Sequence, residues 1–242
     1  MDYHRALAPA GLAVFLVVFS IGNYALGFDQ WIVHWWADMA WTIASSATAL
    51  MCYSAARKLS RHERAAWLLF AAGCLAWFLG MLAWDYLELV AGQATPFPSA
   101  SDFGFLLLPP FFMVGLIYFR QSAPSVALTL KHVSNLGFIL CSLVVVIVLV
   151  LLEHIRNSQD SSLYIAVAVA TPVLYLGLLL FALYLLYSHR WDAQRNVMLL
   201  LVAGMAVHGI TNTIYARELL THEYFAGSNL DVFWLLGFAF FF

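Results

Sequence analysis

The chain has 242 residues, 64% of them hydrophobic and 10% charged, with a net charge of −2. Soluble globular domains carry roughly 45–50% apolar and about 25% charged residues, so this surplus cannot be hidden in one water-soluble core and most of the surface must face lipid. No basic face suggests nucleic acid as a partner, and no stretch reads as a soluble domain.

A helix needs about 20 apolar residues to cross the hydrocarbon core. In chain order, such runs occupy residues 8–28, 31–55, 65–91, 101–119, 133–153, 163–188 and 196–216. An eighth opens near Asn229 and reaches Phe242. That last stretch is about 21 Å of helix, too short to span, so the natural protein is expected to continue. The predicted fold is all-α: a polytopic bundle of about eight transmembrane helices, with residues 1–242 forming one membrane domain.

Short polar connections separate the runs. Arg57-Lys58-Leu59-Ser60-Arg61-His62-Glu63-Arg64 is too charged for lipid, and Gly92 to Ser101 holds two prolines. Ser188 to Asn196 and Arg217 to Ser228 are polar. The first run lacks a small-residue cleavage site and leads into further membrane segments, so no cleavable signal peptide is expected.

Orientation follows from lysine and arginine. With the N-terminus inside, Arg5, Arg57, Lys58, Arg61, Arg64, Arg120, Lys131, Arg190 and Arg195 fall on the cytoplasmic side. Only Arg156 and Arg217 fall opposite. Eight spans would return the C-terminus to the cytoplasm, and a bacterial inner membrane is the expected location.

Ionisable groups inside membrane segments are costly, and each is a functional candidate. Asp38 lies two turns into the second run, with His34 one turn away on the same face. Asp85 and Glu88 end the third run, Asp102 opens the fourth and Asp231 opens the eighth. His208 and Asn212, four residues apart, share one face of the seventh. Most of this polarity gathers in the extracytoplasmic half. Asp38 is the best single functional candidate, because a carboxylate at that depth needs a partner.

Each position also has a structural reading. Ser99 or Ser101 can cap the fourth helix, and an acidic residue in a first turn complements the helix dipole, which would account for Asp102 and, with Asn229, for Asp231. His34 sits in Trp31-Ile32-Val33-His34-Trp35-Trp36, which reads as an interfacial aromatic belt. His208 could bind a ligand or metal, or only hydrogen-bond a neighbouring helix. Cys52, Cys74 and Cys141 lack metal or redox spacing and read as buried small hydrophobes. Pro109-Pro110 and Thr171-Pro172 remove backbone donors and should kink their helices.

Two stretches carry a resemblance. Pro96-Phe97-Pro98-Ser99-Ala100-Ser101-Asp102, followed by Phe103-Gly104-Phe105-Leu106, resembles the P-x-P-S-x-x-D-x-x-x-L element of the membrane regions of many bacterial GGDEF/EAL proteins. Gly227-Ser228-Asn229-Leu230-Asp231-Val232-Phe233-Trp234-Leu235-Leu236-Gly237 is similar to their G-S-x-L-D-x-x-W-x-x-G element. The order of hydrophobic segments agrees along essentially the whole chain. Asn212 departs from the pattern at a position where relatives often carry an acidic residue. The resemblance implies a sensory input domain for a cytoplasmic cyclic-di-GMP enzyme lying C-terminal to these residues, and a homodimer. The GGDEF and EAL catalytic motifs are absent from these residues, so this chain is not expected to be the enzyme itself.

Four functions are compatible with these features. The leading one is a sensor whose small-molecule, ion or lipid signal engages Asp38, His34, Asp85, Glu88, Asp102, His208, Asn212, Asp231 and Trp234. No cofactor is required, although haem b held by His208 and His34 would make it a redox or gas sensor. A small transporter would need polar groups across both halves. A passive anchor would dimerise through small residues such as Gly73 and Gly80. Retinal is disfavoured, because Lys58 and Lys131 both lie at segment ends and no mid-membrane amine remains.

Overall fold

The computed structural model describes residues 3–26, 30–120, 126–188 and 194–241. His189 and Arg190 lie outside these, as do the side chains of Arg5, His62 and Arg120. The described residues are helical, with no strand among them. The elements are α1 (Tyr3–Leu26), α2 (Gln30–Ala56), α3 (Arg61–Asp85), α4 (Ala100–Arg120), α5 (Val126–Val150), α6 (Leu152–Asn157), α7 (Ser162–Ser188), α8 (Arg195–Thr221) and α9 (Asp231–Ala239). Each expected apolar run coincides with a helix; the short α6 has no counterpart among the runs.

Among the described residues, five helices are long and apolar enough to cross a membrane: α3 with its extension to Val90, α4, α5, α7 and α8. The apolar stretch of α1 is shorter, Val14–Ala25. The α2 helix has 27 residues but spends several on polar groups turned inward, including fully buried Asp38, Ser45 and Thr48. Ser45 and Thr48 donate to the carbonyls of Trp41 and Ala44, both at 2.8 Å, which makes them tolerable in an apolar setting.

The closest crossing is α3 against α4, made possible by glycine. A Cβ on Gly104 would stand 2.5 Å from the Ala76 carbonyl oxygen and 2.7 Å from the Gly80 Cα. Gly73 and Gly80 are thus used inside the chain, where their missing side chains let two backbones touch. The α5 helix is peripheral, burying only His132, Leu143 and Ile147. Here one expectation fails: Cys141 is exposed, unlike buried Cys52 and Cys74, because it sits on the outward face of this outer helix.

The α4 and α7 helices run on through Pro109-Pro110 and Pro172. Pro109 has no N–H to offer the carbonyl of Phe105, one turn earlier. Fully buried Tyr175 on α7 supplies the donor, its hydroxyl reaching the Phe105 oxygen at 2.7 Å. Tyr175→Phe should cost about 1 kcal/mol and lower the thermal midpoint in detergent by roughly 2–4 °C. An unchanged midpoint would mean that the carbonyl does not depend on this hydroxyl.

Candidate functional site: an aromatic chamber beside an acidic cluster

Both motifs of the resemblance contain S-x-x-D, and each forms the same local device. Ahead of α4, the Asp102 carboxylate accepts the Ser99 backbone N–H at 2.6 Å, and the Ser99 hydroxyl accepts the Ser101 N–H at 3.3 Å. Ahead of α9, the Asp231 carboxylate accepts the Gly227 N–H at 2.6 Å, and the Ser228 hydroxyl accepts the Leu230 N–H at 3.3 Å. These are variants of the capping box: a serine and an acidic residue three positions on satisfy donors at a helix start. Gly227 takes φ +89°, a conformation that side-chain-bearing residues rarely adopt.

Capping does not explain the other carboxyls. Asp38 is fully buried, and neither of its oxygens meets a hydrogen-bond donor. Another carboxyl, that of Glu88, dominates its electrostatic surroundings, with Asp85 and Asp231 also nearby. Carboxyls crowded together away from water favour a proton or a cation among them. Asp85 accepts from the Thr42 hydroxyl at 2.7 Å through one oxygen, while its other oxygen has no partner. Half-exposed His34 places Nδ1 3.6 Å from Glu88.

Glu88 owes its position to a local irregularity. Residues Tyr86–Val90 extend α3 as a π-turn, marked by the 2.9 Å bond from the Ala91 N–H to the Tyr86 carbonyl. A π-turn inserts a residue and rotates the helix beyond it, and such turns recur at functional sites. Simple 3.6-residue periodicity does not reveal it.

Next to the acids lies a small chamber with a cavity volume of about 40 Å³. Trp41 of α2 forms one wall; Trp77, Met81 and Trp84 of α3 form a second. Asp102, Phe105 and Leu106 of α4 face them, with Thr171 from α7. Asn212 and Tyr215 of α8, Tyr224 from the loop after α8 and Trp234 of α9 complete the lining. The rings brace one another edge to face: Trp41 on Trp234 at 5.6 Å, Tyr215 on Trp234 at 5.4 Å, and Tyr215 on Tyr224 at 4.7 Å. Such contacts hold rings at fixed angles.

The polar atoms of this wall are unevenly satisfied. Trp41 donates its indole N–H to the Asp231 carbonyl at 3.3 Å, tying α2 to the start of α9. The indole nitrogens of Trp77, Trp84 and Trp234 are buried without any partner. Buried donors are almost always paired, so three in one wall mark a place where something polar fits. Tyr224 joins chamber to acids, its hydroxyl 3.5 Å from Asp231 and its surroundings including Asp38 and Glu88.

Of the sequence-derived candidates, Asp102, Asn212 and Trp234 line the chamber, while Asp38, Asp85, Glu88 and Asp231 form the adjoining acidic cluster with His34 at its edge. His208 lies one turn from Asn212, which donates to its carbonyl at 2.8 Å. Its ring is enclosed by Trp77, Tyr175, Phe238 and Phe241, with centroids at 5.7, 5.9, 5.0 and 5.6 Å. Both ring nitrogens are buried without a partner, and Nε2 abuts Gly237, where a Cβ would stand 2.7 Å from it, so a haem iron has no room beside it and the site does not fit haem. Among the described residues, no group of three His, Cys, Asp or Glu side chains is placed to hold a metal ion. Trp77, Trp84, Tyr215 and Tyr224 carry no signal in the sequence, where a tryptophan in an apolar run is indistinguishable from one facing lipid. No family model, no curated protein and no solved structure matches the chain.

Proposed function

We propose that this chain is a membrane-embedded sensory domain that reads a signal in its aromatic chamber. In this reading eight helices cross a bacterial inner membrane, with both termini in the cytoplasm. Signal binding rearranges the helices and alters a homodimeric, cytoplasmic output domain that makes or degrades cyclic-di-GMP. The observation that carries it is the chamber: side chains from six helices converge there, three of them with buried, unpaired indole donors. A ligand can shift a helix arrangement only by binding one arrangement better than another, and a site shared among six helices is where such a difference arises. The excess of lysine and arginine on one side supports the orientation, and the two S-x-x-D motifs support the link to GGDEF/EAL proteins. The anchor reading is weaker, since Gly73 and Gly80 are occupied by contacts within the chain.

The test is the cyclic-di-GMP level in bacteria expressing the full gene product. Asn212→Leu and Trp234→Leu, both lining the chamber, should shift that level at least threefold from wild type at equal membrane abundance. If both variants leave it unchanged, the chamber does not control an output of this kind.

A further inference from the structure

We infer that the chamber receives an organic ammonium group, alkylated or quaternary, that carries an oxygen acceptor close to its nitrogen. This deepens the sensory reading and rests on it. The faces of the wall are the first indication. Trp41, Trp77, Trp84 and Trp234, with Tyr215 and Tyr224, present aromatic surface to one small volume from different directions. A cation within about 6 Å of a ring centre is held by the ring quadrupole, most strongly by tryptophan and most effectively when several rings surround it.

Charge points the same way. Asp102 lines the chamber, and Asp38, Asp85, Glu88 and Asp231 adjoin it, yet no lysine or arginine contributes to the lining. An anion would meet this field without a counter-charge. A bare metal ion would need several hard ligands, and the described residues offer no such cluster. A wholly apolar guest would leave the indole donors of Trp77, Trp84 and Trp234 buried and unpaired, which is costly.

Those three donors supply the second half of the recognition. Indole N–H groups give protons and accept none, so they call for oxygen acceptors on the guest. Pro110 adds a complementary feature: it gives no N–H to the carbonyl of Leu106, a residue of the lining, leaving an acceptor without its regular helical donor. Ammonium and oxygen on one compact guest would answer the rings, the carboxylate and the indole donors together. The cavity itself is small, about 40 Å³, so what it admits is a compact head group and not a drug-sized molecule. Both a free amino alcohol or betaine and the headgroup of an amine-bearing phospholipid present this chemistry.

The experiment uses the purified 242-residue chain in nanodiscs of phosphatidylglycerol, which has no amine. Choline is titrated against its neutral carbon isostere, 3,3-dimethylbutan-1-ol, by calorimetry and by tryptophan fluorescence. Choline is expected to bind saturably and at least tenfold more tightly than the isostere. Trp234→Leu and Asp102→Asn should each weaken it about tenfold, and Trp234→Phe, which keeps an aromatic face but loses the indole N–H, by an intermediate three- to fivefold; circular dichroism checks that each variant is folded. Native mass spectrometry from phosphatidylcholine nanodiscs forms the other arm. A retained phosphatidylcholine, lost in Trp234→Leu and competed by choline, assigns the ammonium to a lipid headgroup. Equal binding of choline and isostere overturns the cation assignment but leaves the chamber as a ligand site. No binding of choline together with no retained phosphatidylcholine also overturns it. The sensory reading stands or falls separately, on the cyclic-di-GMP response of the chamber variants.

Discussion

Gly104→Ala is expected to destabilise the folded chain in detergent by about 3 kcal/mol or more. The new methyl group would lie 2.5 Å from the Ala76 carbonyl oxygen, 2.7 Å from the Gly80 Cα and 2.8 Å from the Gly80 nitrogen. All three are backbone atoms of α3, so no side chain can swing aside to admit it. The helices must separate along their length. Separation opens the chamber as well, because Trp77, Met81 and Trp84 stand on one helix while Asp102, Phe105 and Leu106 stand on the other. The control is Gly137→Ala on outer α5, where a Cβ meets nothing within 4 Å. There alanine should be neutral or stabilise by up to about 1 kcal/mol, as it does in an open helix interior. Size-exclusion profiles and thermal unfolding of the two variants settle the point. A Gly104→Ala protein as stable as wild type would show that α3 and α4 do not cross this closely.

How far the sequence discloses the structure depends on the range of the interaction. The helices are legible, because twenty apolar residues in a row admit few other structures in lipid. The capping devices are nearly so: Ser99 with Asp102 and Ser228 with Asp231 are three residues apart, and their chemistry is local. His208 and Asn212 sharing a face follows from a spacing of four. Beyond one turn the signal fades. That Tyr175 replaces the donor Pro109 lacks joins residues on separate helices, and neither residue type announces the other. The enclosure of His208 by four rings draws on three other elements, and its spacing to Asn212 gives no sign of it. The aromatic chamber is the least visible feature, since its tryptophans are scattered through runs in which lipid-facing tryptophan is equally ordinary. The π-turn obscures the setting of Glu88 as well, because one inserted residue breaks the period on which face assignments depend.

Asp38 is where stability and signalling should part company. It is fully buried, accepts no hydrogen bond from any described donor, and faces the Glu88 carboxyl. A buried polar group left unpaired costs about 1–3 kcal/mol, and more when charged. Asn at this position keeps the shape, removes one carboxyl from the pair and gives Glu88 an N–H to accept. Asp38→Asn is therefore expected to stabilise the chain by about 1–3 kcal/mol, raising the midpoint by roughly 2–4 °C for each kcal/mol. On the sensory reading the same variant loses its response, because an arrangement of α2 against the end of α3 that once required a proton or cation now holds without one. Natural proteins commonly carry such destabilising groups where function needs them. Glu88→Gln provides the second corner of a double-mutant cycle: the two changes should be clearly non-additive, with a coupling of at least about 0.5 kcal/mol, since each alone relieves the same contact. A destabilised Asp38→Asn protein would mean that the carboxylate has a resident cationic partner, and the unpaired acid at the centre of this cluster would have to be abandoned.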